Sequence, residues 1–581
     1  MIKKVKDAKT WGSVLVFSPD GKTLAFGSHD SRVYLYNTVN QIYSKRAICK
    51  GHSSYITALD FTADSRHLQS TCGAYELLYW TVGGNQVTSA AAMRDQTWET
   101  WTCTLGWPVQ GIWPAGADGT DINACARSHA KDMIVSGDDF GQVRLMRYPC
   151  LDVACGDRSY NGHAQHVMST RFTFDDSHVL STGGGDRCIF QWSYEYEEEE
   201  EHHRDRHHSG HQLKDDSQEA GDGIKMVHRT RLEEAGRGGA DADTLSAIFE
   251  AQRGQGGDEF MATKPWLGTI TRMKPKEFDP RSISNDAPDV DMELWFVHGY
   301  RGNDCRNNVR YTAKGEVCYP AAALGIVFNT KDTSKHKQRF FDLHTDDVLS
   351  LAMHPQGKVV ATGEIGRKPK IIVWDSDTLQ TLAVLKGFHK RGVPLLAFSE
   401  GRGDRLASVG LDNDHSIAVY AWEQKVCIAT CKGSKSAILG LRFGQDLNTL
   451  VSCGVNHVSF WKIKGSTLKR QKGLYGNTKH ICTAVTIGSI QDMNDSSKGG
   501  GGYHIVTGMA NGQLYKWNAH KLADRTVAHT KKVTALWSYS DGLISGSADG
   551  TIVMWDTTLT QLRKVDVTLL RWELTDPTIG E

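Results

Sequence analysis

Along most of the chain, apolar and polar residues alternate in short runs, and each run is closed by Gly, Asp, Asn or Ser. Ser18 to Asn37, SPDGKTLAFGSHDSRVYLYN, reads as a tight turn, an alternating strand, an Asp-containing turn and a second strand ending in aromatic residues. Period-two alternation in pieces this short predicts strands and hairpins, and sustained helical periodicity is scarce. The unit returns from Gly51 to Trp80, Asp132 to Tyr148, Gly162 to Trp192 and Leu343 to Asp375. Further copies end at Trp422, Trp461, Trp517 and, most cleanly, at Trp555 in AHTKKVTALWSYSDGLISGSADGTIVMWD.

Recurrence over roughly 40 to 50 residues resembles WD repeats, in which each copy makes one four-stranded propeller blade. That resemblance implies a hydrogen-bonded chain of His, Ser, Asp and Trp in each complete copy. In the last copy the set is His529, Ser545, Asp549 and Trp555, and in the fourth it is His163, Ser181, Asp186 and Trp192. Buried polar groups persist only when they satisfy one another, so the four residue types belong together. The second copy, with Gly73-Ala74-Tyr75-Glu76 at the turn, and the seventh, with Asn456, depart from the pattern and put their networks in question. These histidines are read as structural in preference to metal ligands or bases, since each already has a partner in the repeat.

Three stretches interrupt the repeats. QTWETWTCTLGWPVQGIWPAGADGTDIN brings Trp98, Trp101, Trp107 and Trp113 close together with Pro108 and Pro114, and is read as an irregular hydrophobic edge packed on a blade in preference to an exposed aromatic ligand site. From Glu195 the composition turns to EYEEEEE, a histidine cluster (His202, His203, His207, His208, His211) and a polar tract to about Ala262. Such a segment buries too little apolar area to offset its ordering entropy, so a disordered linker is expected, with one short helix at Ala242 to Gln252. A solvated mixed-charge linker is favoured over a weak metal site. TKPWLGTI and then WFVHGYRGNDCRNNVRY, Trp295 to Tyr311, restart the order.

The Trp295–Tyr311 block, the Trp98–Pro114 segment and Thr120–Asn123 together resemble the echinoderm microtubule-associated-protein-like (EMAP-like) family, in which a hydrophobic HELP motif leads into joined β-propellers. The resemblance implies that Trp266, Tyr300, Arg301, Asp304, Cys305, Arg306, Asn307 and Asn308 are largely internal and join the first blade to a neighbouring propeller. It implies residues 1–194 as the last blades of one propeller pair, 195–262 as linker, 263–343 as HELP-like entry with a first blade, and 344–581 as blades of the next propeller. Four blade-like units before the linker and about six after Trp295 do not match closed rings of seven, so the expected architecture is all-β, tandem WD-repeat propellers with incomplete rings, a window of a longer chain.

Composition adds few alternatives. Lys+Arg and Asp+Glu each total 67, so steering by net charge of the kind a nucleic-acid binder uses is not indicated. Thirteen scattered cysteines read as free, mostly buried thiols of a reducing compartment. The N-terminus has no apolar signal region and no apolar run approaches a membrane span, so an intracellular, soluble protein without nucleic-acid or membrane partners is expected. No P-loop, G-x-S-x-G or zinc-type cysteine spacing is present, Cys305 has no base beside it in sequence, and no enzyme activity, metal or cofactor is expected. By resemblance the chain binds the tubulin lattice and other axonemal or cytoskeletal proteins, stabilising axonemal or ciliary microtubules. Candidate contacts with acidic tubulin tails are Lys386, Lys390 and Arg391, Lys469, Arg470 and Lys472, and Lys531 and Lys532. The alternative is a general WD-repeat scaffold for a complex without tubulin, which the HELP-like motif disfavours.

Overall fold

A computed structural model describes residues 4–113, 121–196, 270, 272–302, 304–333, 337–444, 446–474, 481–489, 503–539 and 541–569. The chain divides into two units, Met1–Gly299 and Tyr300–Glu581. Among the described residues the fold is all-β, built of antiparallel four-stranded blades in sequence order, four in the first unit and six in the second. The expected linker at 195–262, its helix, its histidine cluster and Trp266 lie outside the described residues, except that the strand before them runs on to Tyr196.

The polarity of each strand follows its place in the blade. Middle strands, sandwiched between neighbouring blades, are apolar on both faces: Ile371, Ile372, Val373 and Trp374 are all buried. Fourth strands lie at the rim, and Lys521–Val527 is almost wholly exposed. First strands carry a register shift near their start, between Ile56 and Ala58, Val348 and Ser350, and Val533 and Ala535 among others, a bulge that sharpens the local twist. The core is therefore a series of layers between successive blades. One layer runs from Ala25 and Val33 to Leu59 and Trp80, and another from Val327 to Trp374, where Phe341 stacks on Trp374 at 4.7 Å. Outer strands Val426–Cys431 and Thr467–Lys472 touch through one parallel bridge, Thr430 to Thr467, which joins two blades into an eight-stranded sheet.

One boundary differs from the sequence reading. The sequence groups 263–343 as HELP-like entry and first blade ahead of the next propeller, yet Val290–His298 pairs along its length with Ile189–Tyr196 and forms the outer strand of the fourth blade of the first unit. The reason is complementarity of edge and strand: Ile189–Tyr196 would otherwise leave an unpaired edge, and VDMELWFVH supplies an alternating partner whose Val290, Met292, Leu294 and Val297 are buried. Residues Ile270 and Met273 likewise join the core around Trp107 in the first unit. Among the described residues no helix is long and apolar enough to cross a membrane.

Candidate functional site

The hydrogen-bonded circuits can be followed atom by atom. In the fourth blade His163 Nδ1 lies 2.8 Å from Asp186, its Nε2 lies 2.8 Å from Ser181 Oγ, and the Trp192 indole N–H donates to the same oxygen at 2.9 Å. The last blade departs from the expected chain. His529 Nε2 and the Trp555 N–H meet Ser545 Oγ at 2.7 and 2.9 Å, but Nδ1 pairs with Thr551 Oγ1 at 2.9 Å, and Thr551 in turn donates to Asp549 at 2.7 Å. Asp549 itself stops 3.6 Å from the ring. Replacing Thr551 by valine keeps the shape and removes this relay, and is expected to cost about 1–2 kcal/mol in chemical denaturation; an unchanged midpoint would show the hydroxyl to be idle.

Two copies use glutamate. His52 lies between Ser70 at 2.6 Å and Glu76 at 3.3 Å, with the Trp80 N–H on Ser70. His344 lies between Thr362 at 2.7 Å and Glu364 at 2.9 Å, with the Trp374 N–H on Thr362. So Glu76, where the turn aspartate was missing, completes the second copy. His52, Cys72 and Glu76 cluster at metal-ligand spacing, but both ring nitrogens of His52 are already engaged. The seventh copy keeps only the Trp461–Ser452 bond, at 2.9 Å, and His389 in the sixth reaches Ser408 at 2.6 Å while the Trp422 N–H turns to the Gly403 carbonyl.

Trp98, Trp101, Trp107 and Trp113 are buried together with Tyr79, Ile112 and Ile134. Their anchor is Asp60, a residue without exposure on the strand Ile56–Phe61. Its carboxyl accepts from the backbone N–H of Thr102 at 2.9 Å and of Cys103 at 3.1 Å, from Thr100 Oγ1 at 2.7 Å and from Gln69 at 3.1 Å. Gly106 allows the tight packing, since a Cβ there would sit 2.2 Å from the Trp101 ring and its φ is +152°. Asp60 gave no sequence signal, being one aspartate in an ordinary alternating strand.

The HELP-like residues are less internal than expected. Asn308 is buried, Arg301, Cys305 and Arg306 are half-buried, and Tyr300, Asp304 and Asn307 are exposed. Arg301 explains this, because it grips Asp304 with two bonds at 2.9 and 2.8 Å and the buried Asp347 at 2.7 Å, so the ion pair lies at the surface of the loop. Asn308 donates to the Arg301 carbonyl at 2.8 Å and Arg306 to the Thr483 carbonyl at 3.1 Å, tying the loop across the second unit. Burial pushes the Cys305 thiol up to about 12, which keeps it protonated at neutral pH.

All eight basic candidates are exposed. Lys390-Arg391 and Lys531-Lys532 each follow the entry histidine of their blade, His389 or His529, so the repeat places them on one face of the second unit. Lys469, Arg470 and Lys472 lie apart from them on the rim strand Thr467–Lys472, and Arg470 is engaged with Ser459 and the Trp461 ring.

Repeated blades with His–Ser/Thr–Trp circuits define a tandem WD-type β-propeller protein. Family models for the second β-propeller of echinoderm microtubule-associated protein, the first β-propeller of the same protein and the HELP motif match residues 1–194, 337–573 and 287–326. The chain belongs to the EMAP-like family. Over 184 residues it is 51% identical to echinoderm microtubule-associated protein-like 2 of Rattus norvegicus, covering 31% of this chain and 28% of that one. The mouse protein-like 1 is 47% identical over 183 residues, covering 31% and 22%, and the human protein-like 3 is 45% identical over 196, covering 33% and 22%. The chain thus matches between 22% and 28% of these relatives' length. Among solved structures, the WD40 repeats of RRP9 match at 18% identity and a TM-score of 0.37, over 46% of this chain and 82% of that one.

Proposed function

We propose that this chain is a non-catalytic, cytoskeletal microtubule-associated protein that uses its propeller blades as rigid surfaces against the tubulin lattice. The observation that carries this reading is the co-occurrence of both propeller types and the HELP motif of a family whose relatives are described as microtubule-associated. The shared face bearing Lys390-Arg391 and Lys531-Lys532 supplies positive charge for acidic tubulin tails, with Lys386 beside it and Lys469, Arg470 and Lys472 as a second, rim contact. A non-catalytic role accords with circuit histidines bound on both nitrogens in the second, fourth, fifth and last copies, and with a protonated Cys305. Two units on one chain suit a periodic filament, since linked weak sites gain avidity when their spacing matches the lattice. Axonemal or ciliary microtubules and their associated proteins are the proposed setting, tested by localising the tagged protein in ciliated cells.

Co-sedimentation with polymerised tubulin across a salt series tests binding. Pelleting is expected at low ionic strength, weakening as salt screens the exposed lysines. Reversing Lys390, Arg391, Lys531 and Lys532 to glutamate is expected to weaken it by about tenfold, roughly 1.4 kcal/mol spread over four exposed charges. Absence from the pellet even at low salt counts against the reading.

A further inference from the structure

The hub of the second unit holds a feature that neither the circuits nor the basic loops explain. The first strands of several blades converge there on a cavity of about 760 Å³, lined among others by Tyr311, Met353, Phe398, Glu400, Arg442 and Trp537. Two guanidinium groups face the same ring: Arg310 lies 5.4 Å and Arg442 6.0 Å from the centre of Trp537. Neither has an acidic partner within ion-pair distance among the described residues. Among the described residues the Arg310 guanidinium donates only to the adjacent Val309 carbonyl, at 2.7 Å, and the Arg442 side chain makes no hydrogen bond, although its backbone pairs with Val451. Glu400, on the same cavity wall, acts on Arg442 only through space. Burial and the neighbouring Arg442 charge push Arg310 down to about 10.

Two half-buried like charges facing one ring repel each other, and without a counter-ion within reach they weaken a fold. Such an arrangement is accounted for by an anion that arrives from outside and pairs with both forks. The remaining walls are mostly apolar and aromatic, with Asn307 and His354 as polar members. Trp537 is 50% and Tyr311 71% exposed, and Met353, Phe398 and Leu536 complete the surface. The volume falls in the range of roughly 300–1,000 Å³ that encloses multi-group ligands and far exceeds what a small inorganic anion fills. An aromatic and arginine lining is that of a peptide-anchoring site.

We propose that this hub binds an acidic peptide segment, with a carboxylate held between Arg310 and Arg442 and an adjacent apolar side chain packed on Trp537 and Tyr311. The site does not depend on tubulin as the partner. It is tested on the full chain with a fluorescein-labelled peptide of alternating glutamate and leucine, by anisotropy and by tryptophan emission. The peptide binds and alters the emission, the glutamine-for-glutamate peptide does not bind, and inorganic phosphate displaces the acidic peptide only at concentrations far above the peptide's own. Arg442→Gln and Arg310→Gln each weaken binding by about tenfold or more while the melting temperature stays level or rises. Unchanged affinity in both variants, equal binding of the glutamine peptide, or phosphate binding as tightly as the peptide overturns the proposal. A fall in melting temperature for both variants also overturns it, because the guanidiniums would then be supporting the fold. Peptide binding without pelleting on microtubules would sink the tubulin reading and leave this one standing.

Discussion

Replacing Asp60 by alanine is expected to destabilise the first unit by about 3–5 kcal/mol, because several donors lose their acceptor at once and each buried unsatisfied group costs about 1–3 kcal/mol. The stranded groups are the Thr102 and Cys103 amides, the Thr100 hydroxyl and the Gln69 side chain, and the first three belong to the tryptophan-rich segment. Losing the anchor frees Trp98 and Trp101 from the layer they share with Tyr79 and Ile134. Chemical denaturation followed by tryptophan emission reads both effects, as an earlier midpoint and a red-shifted native spectrum. Asn at the same position retains an acceptor and is expected to lose less. A change below about 1 kcal/mol with native emission intact would show that the segment is held by its apolar contacts alone.

Acid is expected to weaken the protein through its circuit histidines before the ordinary carboxylates titrate. Burial lowers His52, His344 and His529 and pushes His389 down to about 4, with nearby carboxylates only partly offsetting it. A depressed imidazole favours the neutral form in the fold, so its contribution is complete above the unfolded value near 6.5 and is lost as pH falls toward 4. For His389 alone the gap is worth about 3 kcal/mol. Asp138 works in the opposite sense: burial pushes it up to about 6, so protonation as pH falls relieves part of the loss in the first unit. Thermal melts between pH 7 and 4.5 should therefore fall with acidity, and an NMR titration should find His389 neutral down to about pH 4. A melting temperature flat over that interval, or an imidazole titrating near 6.5, would refute this.

Much of the blade architecture could be read from the string because period-two alternation and turn residues are local signals, and the same signals returned many times. The complete set at His163, Ser181, Asp186 and Trp192 sits at the spacing the repeat requires. What escaped was chemistry that substitutes for the usual residue. Glu364 approaches His344 from within a strand, two positions after Thr362, and Thr551 relays a carboxylate that falls short. The imidazole needs an acceptor near Nδ1, and it does not matter whether that comes from a turn aspartate, a longer glutamate or a hydroxyl in between. Asp60, Arg310 and Arg442 were silent for another reason. Their meaning lies in partners 40 or more positions away (Asp60 with Thr100 to Cys103, both arginines with Trp537), which no local pattern reports. The exposure of Tyr300, Asp304 and Asn307 departs from what the family resemblance implies, because the Arg301–Asp304 pair closes at the surface of the loop and not inside it.

The clasp between Ile189–Tyr196 and Val290–His298 sets an order of events during synthesis. The fourth sheet of the first unit must wait, one edge bare, until nearly a hundred further amino acids have left the ribosome, and closure over so large a separation is slow. Once sealed, the same seam acts as a rivet: a protease that severs the backbone anywhere from 197 to 269 would produce two fragments that still travel as one particle under native conditions, parting only in denaturant.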